Sequence, residues 1–204
     1  MERPFDKLLV LDLDETLVHT VPEFELEDLE HDPHFEIPGG YAVYRRPGVQ
    51  EFLVECFRKF REVAVWTAGT RDYAFEVLPH LYDPDDFTFV WGRERCTWHR
   101  NFDTEYTMTW SDGYWIKDIR KLRRKGYRKE EILFVDDTPG NFKRSYGNLV
   151  TVRGFYGDPA DDELELLGAY LDTLGPVPNV RTVNKQGWRS RIRHDGSQGS
   201  VKSS

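Results

Sequence analysis

Cysteine is scarce in this 204-residue chain: only Cys56 and Cys96 occur, with no Cys-x-x-Cys spacing. That excludes a disulfide framework and a thiolate metal cluster. No apolar leader opens the sequence, and no apolar run approaches the roughly 20 residues of a bilayer-crossing helix. The expectation is a cytoplasmic protein with two ordinary thiols and no membrane. An excess of positive charge is missing too. Lys and Arg number 28 against 36 Asp and Glu, a formal net charge of -8, which repels polyanions overall and leaves nucleic acid only a local basic patch to bind. No internal repeat is visible. What is present, 39% hydrophobic and 14% aromatic residues, suffices for one sizeable core with decorations rather than two full domains.

Three short apolar runs stand out: KLLVLDL (7–13), REVAVWTAG (61–69) and EILFVDDTPG (131–140). Each is continuous rather than alternating, the pattern of a strand buried on both faces, and each ends in polar or small residues. Helical spacing lies between them. Residues 47–60 repeat Val49, Phe52, Leu53, Cys56, Phe57 and Phe60, with Pro47 suited to a first turn. Residues 71–80 and 116–125 read likewise, the latter stopping at Gly126. Strands alternating with helices predict an α/β fold with a central parallel sheet, which binds ligands beyond the carboxyl ends of its strands. The run FEIPGGYAVYR (35–45) predicts a flap hairpin turning at Pro38-Gly39-Gly40, after an acidic stretch from Glu23 to Asp32. Residues 87–115 predict a small antiparallel β insertion with a turn at Ser111-Asp112-Gly113. Residues 184–204, rich in Gly, Ser and basic side chains, are expected to be a disordered tail.

The first run ends in two aspartates one residue apart, Asp12 and Asp14. Carboxylates that close repel, so the pair is costly unless a cation or a shared proton relieves it. Asp136 and Asp137 end another strand on the same rim, and four aspartates without Cys or His spacing favour a hard, oxygen-loving ion such as Mg2+. Thr67, Lys117 and backbone amides near Ala68 and Gly69 add a hydroxyl, an ammonium and N–H donors, the parts of a phosphate cradle.

With these residues in view, DLDETLVHT, WTAG, the lysine of YWIKD, and VDDTP resemble the four motifs of the haloacid dehalogenase superfamily of phosphotransferases. More narrowly, DLDETLVHT, YRRPGVQEFL, GRERC with YWIKDIRKL, and FYGDPADDELELLGAYL resemble the FCP/SCP-type, or NLI-interacting-factor-like, phosphatases, over roughly residues 5–183. The resemblance implies a Rossmann-like fold and Mg2+-dependent hydrolysis of phosphomonoesters, often phosphoserine in proteins, through an aspartyl-phosphate. It makes Asp12 the nucleophile and Asp14 the acid and then the base. It gives Thr67, Ala68 and Lys117 to the phosphoryl oxygens, and Asp12, the Asp14 carbonyl and Asp137 to the metal. Asp136 then orients Lys117 or a metal-bound water, Thr16 steadies the turn, and Arg93 faces the substrate. Close relatives often carry Asp-Asn-Ser-Pro where this chain has Asp136-Asp137-Thr138-Pro139.

Other features have two readings. The spacing of Asp12, Asp14, Thr16 and Glu23 matches a calcium loop, but Leu17 occupies the place of its glycine. The basic run RKLRRKGYRK (120–129) is either a solvated helix end or a landing strip for an acidic peptide or nucleic-acid backbone. Trp91, Trp98, Trp110 and Trp115 form either a minicore or a stacking surface. His19 reads as a packed or capping residue. Functionally, a protein serine/threonine phosphatase is favoured, with a polynucleotide 3'-phosphatase, a small-metabolite phosphatase or a non-catalytic binding module of the same fold as alternatives.

Overall fold

A computed structural model describes residues 3–28, 31–100 and 113–199. Along the chain come strands β1 (Phe5–Leu11), β2 (Val18–Pro22), β3 (Phe35–Ile37) and β4 (Tyr41–Arg45), helix α1 (Val49–Lys59), β5 (Phe60–Trp66) and α2 (Arg71–Val77). There follow β6 (Val90–Trp91), β7 (Thr97–Arg100), β8 (Gly113–Ile116), α3 (Arg120–Arg123), β9 (Ile132–Asp136), β10 (Leu149–Thr151), α4 (Glu163–Leu174) and α5 (Trp188–Gly199). Among the described residues, five strands form a parallel sheet in the order β10-β9-β1-β5-β6.

The continuous apolar runs are explained by a core on each face of this sheet. Leu9 and Leu11 of β1 and Val63 and Val65 of β5 face one cluster, with Val49, Leu53 and Phe57 of α1 and Leu167 and Leu171 of α4. Leu8, Val10, Ala64 and Trp66 face the other, with Leu122, Phe134 and Phe142. Because side chains alternate along a strand, burial on both sides needs apolar residues at every position. Helix α1 begins after Pro47-Gly48, where Gly48 takes φ 74, a conformation that costs glycine little.

Register aligns the strand ends. Leu11 pairs with Val65 on one side and Val135 on the other, and the Asp12 amide donates to the Val135 carbonyl at 2.9 Å. Asp12, Thr67 and Asp136 therefore leave the sheet at one level, on its carboxyl rim.

Several sequence expectations are corrected. The hairpin at 35–45 is β3 and β4, but β4 also pairs with β2, making a three-stranded antiparallel sheet. The same β2 separates Thr16 from Glu23, in keeping with Leu17 standing where a calcium loop needs its glycine. Val90 and Trp91 join the edge of the main sheet and not the antiparallel insertion, whose described strands are β7 and β8. The helix expected at 116–125 is mostly absent: Ile116 ends β8, paired with Thr97, and α3 covers only Arg120–Arg123. The ladder holds Ile116 extended, and Asp118 Oδ1, accepting from the Arg120 amide at 3.0 Å, starts the helix late. The tail read as disordered is helical over Trp188–Gly199 and anchored at its start. Trp188 is 1% exposed, stacks on Tyr170 at 5.1 Å, and donates Nε1–H to the Thr151 carbonyl at 2.9 Å. One indole outweighs the polar composition around it, since burying a large apolar side chain stabilises by about 1.5–3 kcal/mol. Trp110 and the turn residues Ser111 and Asp112 lie outside the described residues.

Candidate active site

The aspartate rim is buried and built around one ammonium. Lys117, 1% exposed, comes off the end of β8, its amide donating to the Asn141 carbonyl. Its Nζ lies 2.7 Å from Asp12 Oδ1 and 2.5 Å from Asp136 Oδ2. Burial works to lower the Lys117 pKa, but the charges of Asp12 and Asp136 outweigh it and hold the ammonium charged above its ordinary range. Burial, then the Asp136 charge, pushes the Asp12 carboxyl up to about 7 against the pull of Lys117. Asp136 is also raised by burial, and its Oδ1 accepts from the Thr138 amide at 2.8 Å. Half-buried Asp137 is raised to about 6 by burial and the Asp12 charge.

Carboxylate oxygens of Asp12, Asp136 and Asp137 fall within 4.8 Å of one another. Asp136 already serves Lys117 and Thr138, which leaves Asp12 and Asp137 to share a cation. The donors are all hard oxygens and carry more negative charge than one lysine offsets, so the residues fit Mg2+. Asp14 does not join this group through its carboxylate.

Asp14 is held apart by a separate set of bonds. Thr67 Oγ1 donates to Asp14 Oδ2 at 3.0 Å, and the Tyr73 hydroxyl donates to Asp14 Oδ1. The same Tyr73 oxygen is 2.7 Å from Thr20 Oγ1 on β2. Burial and the Asp12 charge lift Asp14 to about 6, opposed by Tyr73 and Thr67. Thr67 also accepts from the Gly69 amide at 2.8 Å. In this geometry the Thr67 hydrogen points at Asp14, and the Gly69 amide points inward at Thr67.

The turn carrying Asp14 is clamped from below by Arg46, which sequence reasoning passed over inside YRRPG. Arg46 is 1% exposed and donates to the carbonyls of Thr16 (3.0 Å) and Arg153 (2.9 Å) and, through two nitrogens, to Asp161 at 2.7 and 2.8 Å. Glu15 in that turn adopts φ 53. Thr16 is fully buried and contributes its carbonyl to the clamp rather than its hydroxyl. His19 Nδ1 is 3.3 Å from Glu15 Oε1, and its ring meets Tyr156 edge-on, a packed role as expected. Tyr73 and Thr20 were likewise missed. A tyrosine seven residues after a strand end carries no signal until the α2 turn and β2 are folded against each other.

Arg93 is exposed and tied to the loop that follows Thr67. Its amide donates to the Gly69 carbonyl and its Nε to the Ala68 carbonyl, both at 2.7 Å. Gly92 permits this approach: a Cβ there would sit 2.4 Å from the Arg71 amide nitrogen. On the insertion, Trp98 packs edge-on against Trp115 at 4.8 Å while staying 43% exposed, whereas Trp91 belongs to the main core. Lys143 lies 4.3 Å over the Tyr114 ring.

A parallel α/β sheet with this aspartate rim and a flap after its first strand is the haloacid dehalogenase fold. The solved structure of Fcp1, an essential RNA polymerase II CTD phosphatase, superposes with a TM-score of 0.52 at 19% identity, over 95% of this chain and 63% of that one. The chain belongs to the NLI interacting factor-like phosphatase family, whose model matches residues 7–181. Among curated relatives, a probable C-terminal domain small phosphatase of Dictyostelium discoideum is 33% identical over 87% of this chain and 53% of its own length. An uncharacterized protein of Schizosaccharomyces pombe is 32% identical over 87% of this chain and 50% of its own. The chain thus spans about half the length of these relatives. No helix among the described residues is long and apolar enough to cross a membrane.

Proposed function

We propose that this chain is a Mg2+-dependent phosphomonoesterase that works through an aspartyl-phosphate on Asp12, with phosphoserine or phosphothreonine in protein as substrate. The observation that carries the reading is the segregation of two carboxylates. Asp12 lies in the charged cluster with Lys117, while Asp14 is turned away onto Tyr73 and Thr67. One carboxylate is thereby set aside for covalent chemistry and the other for proton transfer.

An Asp12 oxygen attacks phosphorus in line and the P–O bond to the substrate hydroxyl breaks, while protonated Asp14 delivers its proton to the leaving oxygen. Asp14, now ionised, takes a proton from water. That water attacks phosphorus, the P–O bond to Asp12 breaks, and inorganic phosphate leaves with Asp14 protonated again. Lys117 neutralises charge on the equatorial phosphoryl oxygens, joined by the Ala68 amide and by Thr67 once its hydroxyl turns from Asp14. Asp12, Asp137 and the Asp14 carbonyl would hold Mg2+, which supplies charge neutralisation at the phosphoryl group. Asp136 keeps Lys117 in place, and Arg93 meets the substrate at the mouth. The protein substrate is supported by the small-phosphatase relatives.

The test is phosphate release from an aryl phosphate, a phosphoserine peptide and a 3'-phosphorylated oligonucleotide, with and without Mg2+, for the wild type and for Asp12→Asn and Asp14→Asn. Both variants should lose turnover while keeping the wild-type far-UV spectrum. Turnover retained by either removes the assigned roles. Preference for the oligonucleotide turns the reading to a 3'-phosphatase, and no turnover on any substrate turns it to a binding module.

A further inference from the structure

The basic run 120–129 is not consumed by the chemistry above, and its position gives it a use. Lys121 Nζ donates to the carbonyls of Arg95 (2.7 Å) and Cys96 (3.1 Å), tying the run to the turn that carries Arg93. Arg95 and Lys125, thirty residues apart in sequence, approach the same Trp91 ring at 5.5 and 5.7 Å. The cations therefore form one continuous path. It begins at Arg93, fastened to Ala68 beside the phosphate cradle, passes Arg95 and Lys121 and reaches Lys125, with Arg124 one residue before it and Arg123 also exposed on the same short helix.

Glu94 lies within this path without an ion pair to Arg93 or Arg95, and the neighbouring carboxylates are engaged elsewhere. Asp118 is taken by Arg120 and Arg144, and Glu131 by Arg128. Among the described residues, Arg93, Arg95, Lys121, Arg123, Arg124 and Lys125 have no carboxylate within ion-pair distance. In a chain of net charge -8, six cations against the one carboxylate among them, Glu94, create a local field opposite to that of the whole molecule.

We propose that this path is a docking lane for acidic residues flanking the scissile phosphate, so that the enzyme selects phosphopeptides carrying carboxylates or further phosphates beside the reacting one. The proposal rests on the phosphatase reading and deepens it. A peptide is favoured over nucleic acid because Trp91, the ring that Arg95 and Lys125 approach, offers no stacking face. Trp91 is 6% exposed and approached by both Arg95 and Lys125, and single-stranded nucleic acid draws much of its binding from base stacking on exposed rings. With Arg93 and Lys121 held by carbonyls, the exposed ends of Arg124 and Lys125 are left to meet acidic side chains at variable spacing.

The test measures binding of fluorescent phosphoserine peptides by anisotropy in EDTA, where turnover plays no part. One peptide carries four flanking glutamates, one four glutamines, and a third probe is a 3'-phosphorylated oligonucleotide of matching charge. The double variant Arg124→Glu, Lys125→Glu is compared with a control on the opposite face of the sheet, Arg58→Glu, Arg191→Glu, which changes net charge equally. Wild type and control should bind the glutamate peptide about tenfold more tightly than the glutamine peptide, and the advantage should vanish at about 1 M salt. The lane variant should lose the advantage yet hydrolyse an aryl phosphate at the wild-type rate. Equal binding of the two peptides by wild type, or an advantage that survives in the lane variant, overturns the lane. Tighter binding of the oligonucleotide than of the glutamate peptide overturns the peptide partner in favour of nucleic acid. Absence of aryl phosphate turnover in the wild type, with the binding pattern intact, counts against the phosphatase reading and not against the lane.

Discussion

The hydroxyl of Tyr73 donates to the carboxylate of Asp14, joining the start of α2 to the residue that follows Asp12 by two. Because the same oxygen meets Thr20 on the flap sheet, Tyr73 links that sheet to Asp14. Removing the hydroxyl by Tyr73→Phe should lower kcat by about tenfold, which corresponds to about 1.4 kcal/mol of barrier, with KM for an aryl phosphate little changed. The bond lowers the Asp14 pKa, so its loss should also shift the Asp14-dependent limb of the pH–rate profile upward. An unchanged rate and profile would remove Tyr73 from the site.

The carboxyl cluster makes folding stability depend on pH and metal together. Asp12 at about 7 and Asp14 and Asp137 at about 6 all lie above the ordinary value of 3.8. The folded state therefore binds protons more tightly than the unfolded chain, and the contribution of these groups to stability is lost as pH rises from about 4 through about 7. Metal-free protein should be more resistant to urea near pH 5 than near pH 8. Millimolar Mg2+ should restore more stability near pH 8, where the carboxylates are ionised and able to bind it. Asp12→Asn should flatten both trends. An equal Mg2+ effect at the two pH values would contradict the cluster as a metal site.

Arg46 is a stability element as well as a clamp. Arg46→Met leaves Asp161 and two carbonyls facing a thioether, and breaking a buried ion pair this way costs about 3–5 kcal/mol. Arg46→Lys should rescue little, because an ammonium cannot bind both oxygens of Asp161 in a fork while reaching the Thr16 and Arg153 carbonyls. Urea denaturation of the three proteins measures the difference; a loss below about 1 kcal/mol for Arg46→Met would show the clamp is dispensable.

Trp188 tests the helical C-terminal segment. Trp188→Ala removes the stack on Tyr170 and the bond to Thr151, and should cost about 3–5 kcal/mol. Truncation before Lys185 should destabilise at least as much, since it also removes Arg189 from Glu163. Wild-type stability of the truncated chain would return this segment to a solvated tail.

The strands at 7–13, 61–69 and 131–140 were legible because a doubly covered strand must be apolar at every position, whichever way its side chains point. Asp12, Thr67, Lys117 and Asp137 were legible through motifs. Tyr73, Thr20 and Arg46 were not, because their roles come from contacts between segments whose separation in sequence carries no periodic signal. The run from Ile116 misled for a related reason: helical spacing of Ile116, Ile119 and Leu122 is real, yet pairing of Ile116 with Thr97 keeps the first of them extended.

Sequence by itself determined the parallel sheet, the rim of carboxylates and the kind of ion they suit, since these follow from local hydrophobicity and from charge repulsion between near neighbours along the chain. Which neighbours each carboxylate meets was decided only in three dimensions. Asp12 and Asp14 differ by their surroundings and not by their chemistry: Lys117 reaches one from the end of β8 and Tyr73 reaches the other from α2. Electrostatic and hydrogen-bond energies fall steeply with distance, so residues on separate elements acquire their roles only once folding has brought them within about 3 Å of each other.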